Sequence, residues 1–211
     1  MRGTFIVIEG FDGVGKSTLS NRLAGRLRSE GHDVLEVREP GGTPVAEAAR
    51  AAVLDPELDA TIEAELFLIL AARADLVSKI ILPALEDGRV VISDRFDLST
   101  EAYQVAGRQL PREAVMSANM LATGGLTPDV TLVLDTPIAV AIARRAGKGD
   151  APDRIEQVDE EVQARIAAAF EQADGPGVVH IDATGTVDEV EAAAWQVVLT
   201  KLSGTSRVSA G

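Results

Sequence analysis

Gly10-Phe11-Asp12-Gly13-Val14-Gly15-Lys16-Ser17, followed by Thr18, is the stretch that decides the fold. It fits G-x-x-x-x-G-K-[ST], a loop that cradles phosphate. The glycines let the backbone turn tightly and bring successive N–H groups up to phosphate oxygens. Lys16 has the reach for β- and γ-phosphates, and the Ser17 hydroxyl is a ligand for Mg²⁺. A helix beginning near Lys16 aims the positive end of its dipole at the same anion.

The flanks supply the context this motif needs. Thr4-Phe5-Ile6-Val7-Ile8-Glu9 is short, apolar and β-branched, as a buried parallel strand is. Leu19, Leu23 and Leu27 follow at intervals of four, on one helical face. Further strands are expected at 34–37, 89–94, 131–135 and 177–182, with helices at 44–53, 61–87, 98–106, 111–122, 137–146, 155–173 and 186–202. Alternating strands and helices predict an α/β fold of the P-loop NTPase type, a five-stranded parallel sheet with helices on both faces. Ligands of such sheets bind at the carboxyl ends of the strands. Glu9, Arg38, Asp94 and Asp135 all fall at those ends.

The chain has 211 residues, which predicts one domain over 1–202, with 147–153 a mobile loop and 203–211 a disordered tail. It has no cysteine, so no disulfide framework and no thiolate zinc site, which suits the cytoplasm. No signal peptide or membrane-spanning run is visible. The net charge of −13, from 20 basic and 33 acidic residues, argues against extended nucleic acid as a partner. A small phosphorylated ligand then needs a local positive pocket.

Val90-Val91-Ile92-Ser93-Asp94 has the form of a Walker B strand, whose terminal carboxylate holds Mg²⁺ directly or through water. Arg38 and Arg95 follow strand ends, where a second phosphate-bearing ligand would sit, and guanidinium suits phosphate oxygens. Arg73 interrupts an apolar helix face and needs an acceptor there, either a carboxylate or a ligand carbonyl. Asp135 reads as a cap, and His32 and His180 as structural, since neither has metal-ligand spacing.

With these residues in view, the sequence resembles the thymidylate kinases (dTMP kinases), a family of P-loop nucleoside monophosphate kinases. The matching stretches run from Phe5 to Thr18, then Arg38-Glu39-Pro40-Gly41-Gly42-Thr43, Ala71-Ala72-Arg73 and Asp94-Arg95-Phe96-Asp97-Leu98-Ser99-Thr100. Ala102-Tyr103-Gln104, Thr127-Pro128-Asp129 and Asp153-Arg154-Ile155-Glu156-Gln157 complete them, and the likeness covers about residues 3–202. It implies transfer of the γ-phosphoryl group of ATP to dTMP with Mg²⁺, in a homodimer. Gly10, Phe11, Asp12, Gly13, Val14, Gly15, Lys16, Ser17 and Thr18 would hold ATP, and Asp12 would also face the dTMP sugar and the transferred phosphate. Arg38 and Arg95 would grip the dTMP phosphate, and Arg73 would bond the thymine carbonyl. Ser99, Thr100 and Gln104 would line the base pocket, with Tyr103 where a ribose 2′-hydroxyl would go. Ile69 stands where the family often has a phenylalanine that stacks on thymine.

Arg144, Arg145, Lys148, Arg154 and Glu156 fall in the segment matching the family's lid, about 144–156, with Arg144 toward ATP and Glu156 toward the metal. No variable P-loop position is basic here, so a further cation for the transferring group is expected from Arg145 or Lys148, with Arg154 steadying the closed lid. Two other functions fit a P-loop: a kinase for another monophosphate, and a regulatory switch. No N-K-x-D guanine-reading motif is present.

Overall fold

A computed structural model describes residues 2–147, 154–155 and 157–207. Strand β1 (Phe5–Glu9) is buried along its whole length. Its alternate residues divide between two cores, because successive side chains of a strand point to opposite faces. Ile6 and Ile8 pack with Leu19, Leu23 and Leu27 of α1 (Lys16–Ser29) and with Trp195 and Val198 of the last helix. Phe5 and Val7 pack with Leu76, Ile81, Leu85 and Phe96 on the other face. Burying each such side chain contributes about 1.5–3 kcal/mol, so a strand covered on both sides anchors the sheet.

The remaining strands are β2 (Val34–Arg38), β3 (Val90–Asp94), β4 (Val130–Asp135) and β5 (Val178–Asp182). All are parallel, in the order β2-β3-β1-β4-β5. Register brings Arg38 beside Asp94 and Ile8 beside Asp94's other flank, so Glu9, Arg38 and Asp94 end at one level. The order reverses at β1, and the loop after β1 therefore opens into the crevice where such sheets bind ligands.

Helix α2 (Pro44–Leu54) starts where Thr43 accepts a hydrogen bond from the Ala46 N–H, with Pro44 at its first position. The long pattern expected at 61–87 divides into α3 (Ile62–Leu76), a π-helical stretch over Val77–Ile81 and α4 (Leu82–Glu86). Pro83 has no N–H and its ring would press on the preceding turn, and the wider register before it relieves both problems. The helix expected at 98–106 is likewise a short α5 (Asp97–Thr100) followed by a π-helical stretch over Glu101–Gly107.

After α6 (Arg112–Thr123) and α7 (Ile138–Ala146), α8 spans Glu160–Glu171, five residues later than the expected start at 155. Asp159 caps it, accepting from the Val162 N–H at 2.8 Å, with Arg154 and Ile155 in a turn before it. Helix α9 spans Val187–Arg207, so residues 203–207, expected in a disordered tail, continue the helix instead. Residues 208–211 lie outside the described residues. No described helix is long and apolar enough to cross a membrane.

Candidate active site

The loop between β1 and α1 folds around the Lys16 side chain. Lys16 Nζ donates to the carbonyls of Gly10 (3.0 Å) and Phe11 (2.9 Å), two acceptors that a phosphate would replace. Burial, reinforced by the nearby Arg95 charge, lowers the Lys16 ammonium to about 8 against the pull of Asp12. Gly13 has φ +91°, and a Cβ there would meet the Ala141 carbonyl oxygen at 2.2 Å. The loop therefore lies directly on α7, which brings Arg144 and Arg145 to its flanks. Ser17 Oγ donates to Asp94 Oδ2 at 2.7 Å across the crevice. A hydroxyl and a carboxylate side by side are hard oxygen donors of the kind Mg²⁺ takes beside phosphate oxygens and water, so these residues fit that ion.

Asp12, Arg95, Ser99 and Tyr103 form a closed cluster. Arg95 pairs with Asp12 and donates to Ser99 Oγ (2.9 Å) and to the Tyr103 hydroxyl (3.1 Å). Tyr103 in turn donates to Asp12 Oδ2 at 2.6 Å. Burial alone would push the Asp12 carboxyl up, but Arg95 and Lys16 together hold it well below the usual carboxylate range. Arg95 sits at φ 76°, a left-handed backbone uncommon for a side chain of its size. Its N–H bonds Ile8 O at 3.0 Å and its carbonyl accepts from Ser93 Oγ at 2.7 Å, which holds it there.

Behind this cluster lies Glu9, wholly buried. Its carboxylate accepts from the Phe96 and Ser99 N–H groups (2.8 and 3.0 Å) and from Ser99 Oγ (2.6 Å). Burial raises the Glu9 carboxyl to about 7, against the opposing effects of Arg95 and Ser99.

Arg73, on α3, is 1% exposed. It donates Nε–H to Glu39 Oε2 (2.6 Å), Nη1–H to Thr100 Oγ1 (2.7 Å) and Asn119 Oδ1 (2.6 Å), and Nη2–H to Phe96 O (2.8 Å). A guanidinium has five N–H donors, so one on Nη2 remains for a ligand.

Two cavities meet here. One of about 360 Å³ is lined by Ile69, Arg73, Ser99, Thr100, Tyr103 and Gln104 among others. The other, about 290 Å³, runs along Gly13, Gly15, Lys16, Thr18, Arg38 and Arg145. Asp12, Ser17, Glu39, Arg50 and Arg95 line both, so the two cavities share a wall of phosphate-seeking and acidic groups. A family model described as Thymidylate kinase matches residues 8–194. The chain is 42% identical to a thymidylate kinase of Deinococcus radiodurans, over 93% of this chain and 97% of that protein. It is 47% identical to one of Cereibacter sphaeroides, over 92% and 93%, and 44% identical to one of a Synechococcus species, over 94% and 95%.

The chain belongs to the thymidylate kinase family.

Most residues matched to that family converge on the two cavities: Asp12, Lys16, Ser17, Thr18, Arg38 and Arg145 on the phosphate side, Ile69, Arg73, Ser99, Thr100, Tyr103 and Gln104 on the other. Arg144 lines a separate recess with Val14, Thr186 and Val190, and donates to Ala183 O at 3.0 Å. Arg154 stands elsewhere than expected for a residue steadying a lid over phosphate. Its guanidinium bonds Glu65 (3.0 Å) and Val53 O (2.9 Å), across α3 and the end of α2. Lys148 and Glu156 lie outside the described residues. Among the described residues Asp135 caps no helix: it pairs with His180 Nδ1 at 2.9 Å, and His180 Nε2 lies 2.7 Å from Ala173 O, so that histidine is tied into the fold.

The sequence reading missed Glu65, Arg50 and the partner of Arg73, Glu39. A signal for Glu65 exists: it precedes Ile69 by four and Arg73 by eight, on the stripe α3 turns inward.

Proposed function

We infer that this protein transfers the γ-phosphoryl group of ATP to dTMP, giving ADP and dTDP. The observation that carries the reading is the wall common to the two cavities. A donor in the P-loop cavity and an acceptor in the larger one would meet there, acceptor phosphate against γ-phosphate. Catalysis of such a transfer is mainly positioning and charge. A dTMP phosphate oxygen forms the new bond to the γ-phosphorus as the bond to the β–γ bridging oxygen breaks.

Arg95 has no freedom to swing, since Asp12, Ser99 and Tyr103 brace it, and so its charge is preorganised for the acceptor phosphate. Arg38 and Arg50 face the same point. The last Nη2–H of Arg73 meets a thymine carbonyl, with Ile69 packed on the ring. Tyr103 crowds the sugar where a ribose would carry its 2′-hydroxyl. Lys16 leaves its two carbonyls for the β- and γ-phosphates, and Arg145, beside Gly13, contacts the transferring group. Mg²⁺, held by Ser17 and Asp94, would neutralise charge on the phosphates.

Phe67 on α3 and Met120 and Leu121 on α6 are 62%, 66% and 86% exposed, on two helices that pack together. This apolar face supports a homodimer. The absence of cysteine supports a cytoplasmic setting.

The test is ADP release from ATP across a panel of deoxy- and ribonucleoside monophosphates. dTMP should stimulate release far more than the rest. Slow hydrolysis indifferent to all monophosphates would overturn the reading, and sedimentation at micromolar concentration checks the dimer.

A further inference from the structure

Glu65, Ile69 and Arg73 stack along one face of α3. Ile69 and Arg73 line the larger cavity, and Glu65 lies behind them with no exposure. A buried carboxylate is unfavourable unless paired, and this one is fully engaged. Its Oε1 accepts from Gln104 Nε2 at 2.9 Å and from Arg108 Nε at 3.3 Å. Its Oε2 accepts from Arg108 Nη2 at 3.0 Å and forms an ion pair with Arg154 Nη1 at the same distance.

A carboxylate between two guanidinium groups offers acceptors only. Gln104 must therefore turn its amino group toward Glu65, and its carbonyl oxygen is the end of the amide left for the cavity it lines. The two ends of a glutamine amide are nearly alike in shape, so without such a partner either could face the ligand.

We propose that Glu65 is a positioning residue for acceptor choice. By fixing the Gln104 amide it presents an acceptor to the base and selects pyrimidine monophosphates whose ring N3 carries hydrogen. Thymine and uracil have that N–H. Cytosine has a lone pair there, and two acceptors would face each other. The proposal rests on reading the larger cavity as the nucleotide acceptor's.

The experiment compares kcat/KM for dTMP and dCMP in wild type, Glu65→Gln, Gln104→Met and the double variant. Glu65→Gln offers both a donor and an acceptor, which frees the Gln104 amide to turn. The dTMP-to-dCMP ratio should fall about 10- to 100-fold, the worth of one or two hydrogen bonds, while KM for ATP holds. Gln104→Met leaves Glu65 with both arginines and should lower the ratio similarly. The double variant should then match Gln104→Met, because residues acting through one contact are not additive. Equal losses for both nucleotides in Glu65→Gln would make Glu65 merely structural and overturn the proposal. Should that variant fail to fold, an undiminished ratio in Gln104→Met overturns it equally. A wild type that phosphorylates no pyrimidine monophosphate would instead refute the reading of the cavity.

Discussion

The two ends of the crevice treat their charges differently. At the phosphate end Lys16 rests on backbone carbonyls, and Arg38, half exposed, pairs with the exposed Glu47 at 3.1 Å. These partners are ones a phosphate can displace. At the base end Arg73 and Glu39 are 1% and 3% exposed, and Glu65 and its donors form a second buried frame. Removing either member of an ion pair there leaves a buried charge unpaired. On the proposed reading, anion binding would use groups held in reserve, whereas base reading would use a polar frame that is also part of the core. Substitutions at the two ends should therefore break different things, turnover at one and folding at the other.

Lys16→Ala tests the first half most severely. Turnover should drop by at least about 100- to 1,000-fold, the scale of losing one preorganised charge at the transition state. The thermal midpoint should stay at or above that of wild type, since the charge faces ligand. An unfolded variant, or one with near-normal ADP release, would erase the distinction. Arg73→Ala tests the second half. Urea unfolding should reveal a loss of about 3–5 kcal/mol, because the Glu39 carboxylate is left buried alone. Arg73→Met combined with Glu39→Leu should recover most of that stability and none of the affinity for dTMP. A single variant as stable as wild type would mean that the base end is not built into the core.

Glu9 joins the two ends, and its titration sharpens the contrast. Burial raises its carboxyl from 4.5 to about 7, so the folded state binds the proton more tightly than the unfolded one. Its contribution to stability is complete below pH 4.5 and is lost as pH rises through about 7. The loss is of the order of 3 kcal/mol. Urea midpoints between pH 4.5 and 8 should fall for wild type relative to Glu9→Gln, and parallel profiles would refute the shift. The smallest effect belongs to Tyr103→Phe. Removing the hydroxyl between Asp12 and Arg95 should cut kcat/KM for dTMP about 10-fold, a single charged hydrogen bond. The preference for deoxy over ribo substrate should survive, because the ring remains, and should weaken only in Tyr103→Ala. Loss of the preference in both variants would assign it to the hydroxyl instead of the ring.

The same contrast explains what could be read from the chain. The phosphate end is local: Gly10 to Thr18 is one contiguous motif, and the facing of Ser17 and Asp94 follows from parallel strands ending together. The base end is assembled from afar. Arg73 meets Glu39 and Asn119 across separations of 34 and 46 residues, and Glu65 meets Gln104 across 39. In a chain that is 25% charged, a buried glutamate looks like any surface one. Arg73 stood out because it broke an apolar face, and the choice between carboxylate and ligand carbonyl resolved into the first with one N–H left for the second. The pairing of Arg154 with Glu65 is hidden for the same reason, since nothing near Arg154 in sequence points to α3. The α8 start moved because Asp159, a capping side chain, outweighed the apolar spacing that began at Ile155.

The π-helical stretch over Glu101–Gly107 makes chain length there as consequential as chemistry. Such a stretch spends more residues per turn than the α-helix on either side. Deleting one residue ahead of Gln104, with the winding kept, would turn whatever follows by about 100° relative to α3. Gln104 would leave Glu65, Arg108 would follow it, and Gly107 would no longer meet Ile166 of α8. Exchanging side chains one at a time would never expose that dependence. A single-residue deletion would, and it makes this loop-like span of helix one of the least forgiving places in the molecule to lose a residue.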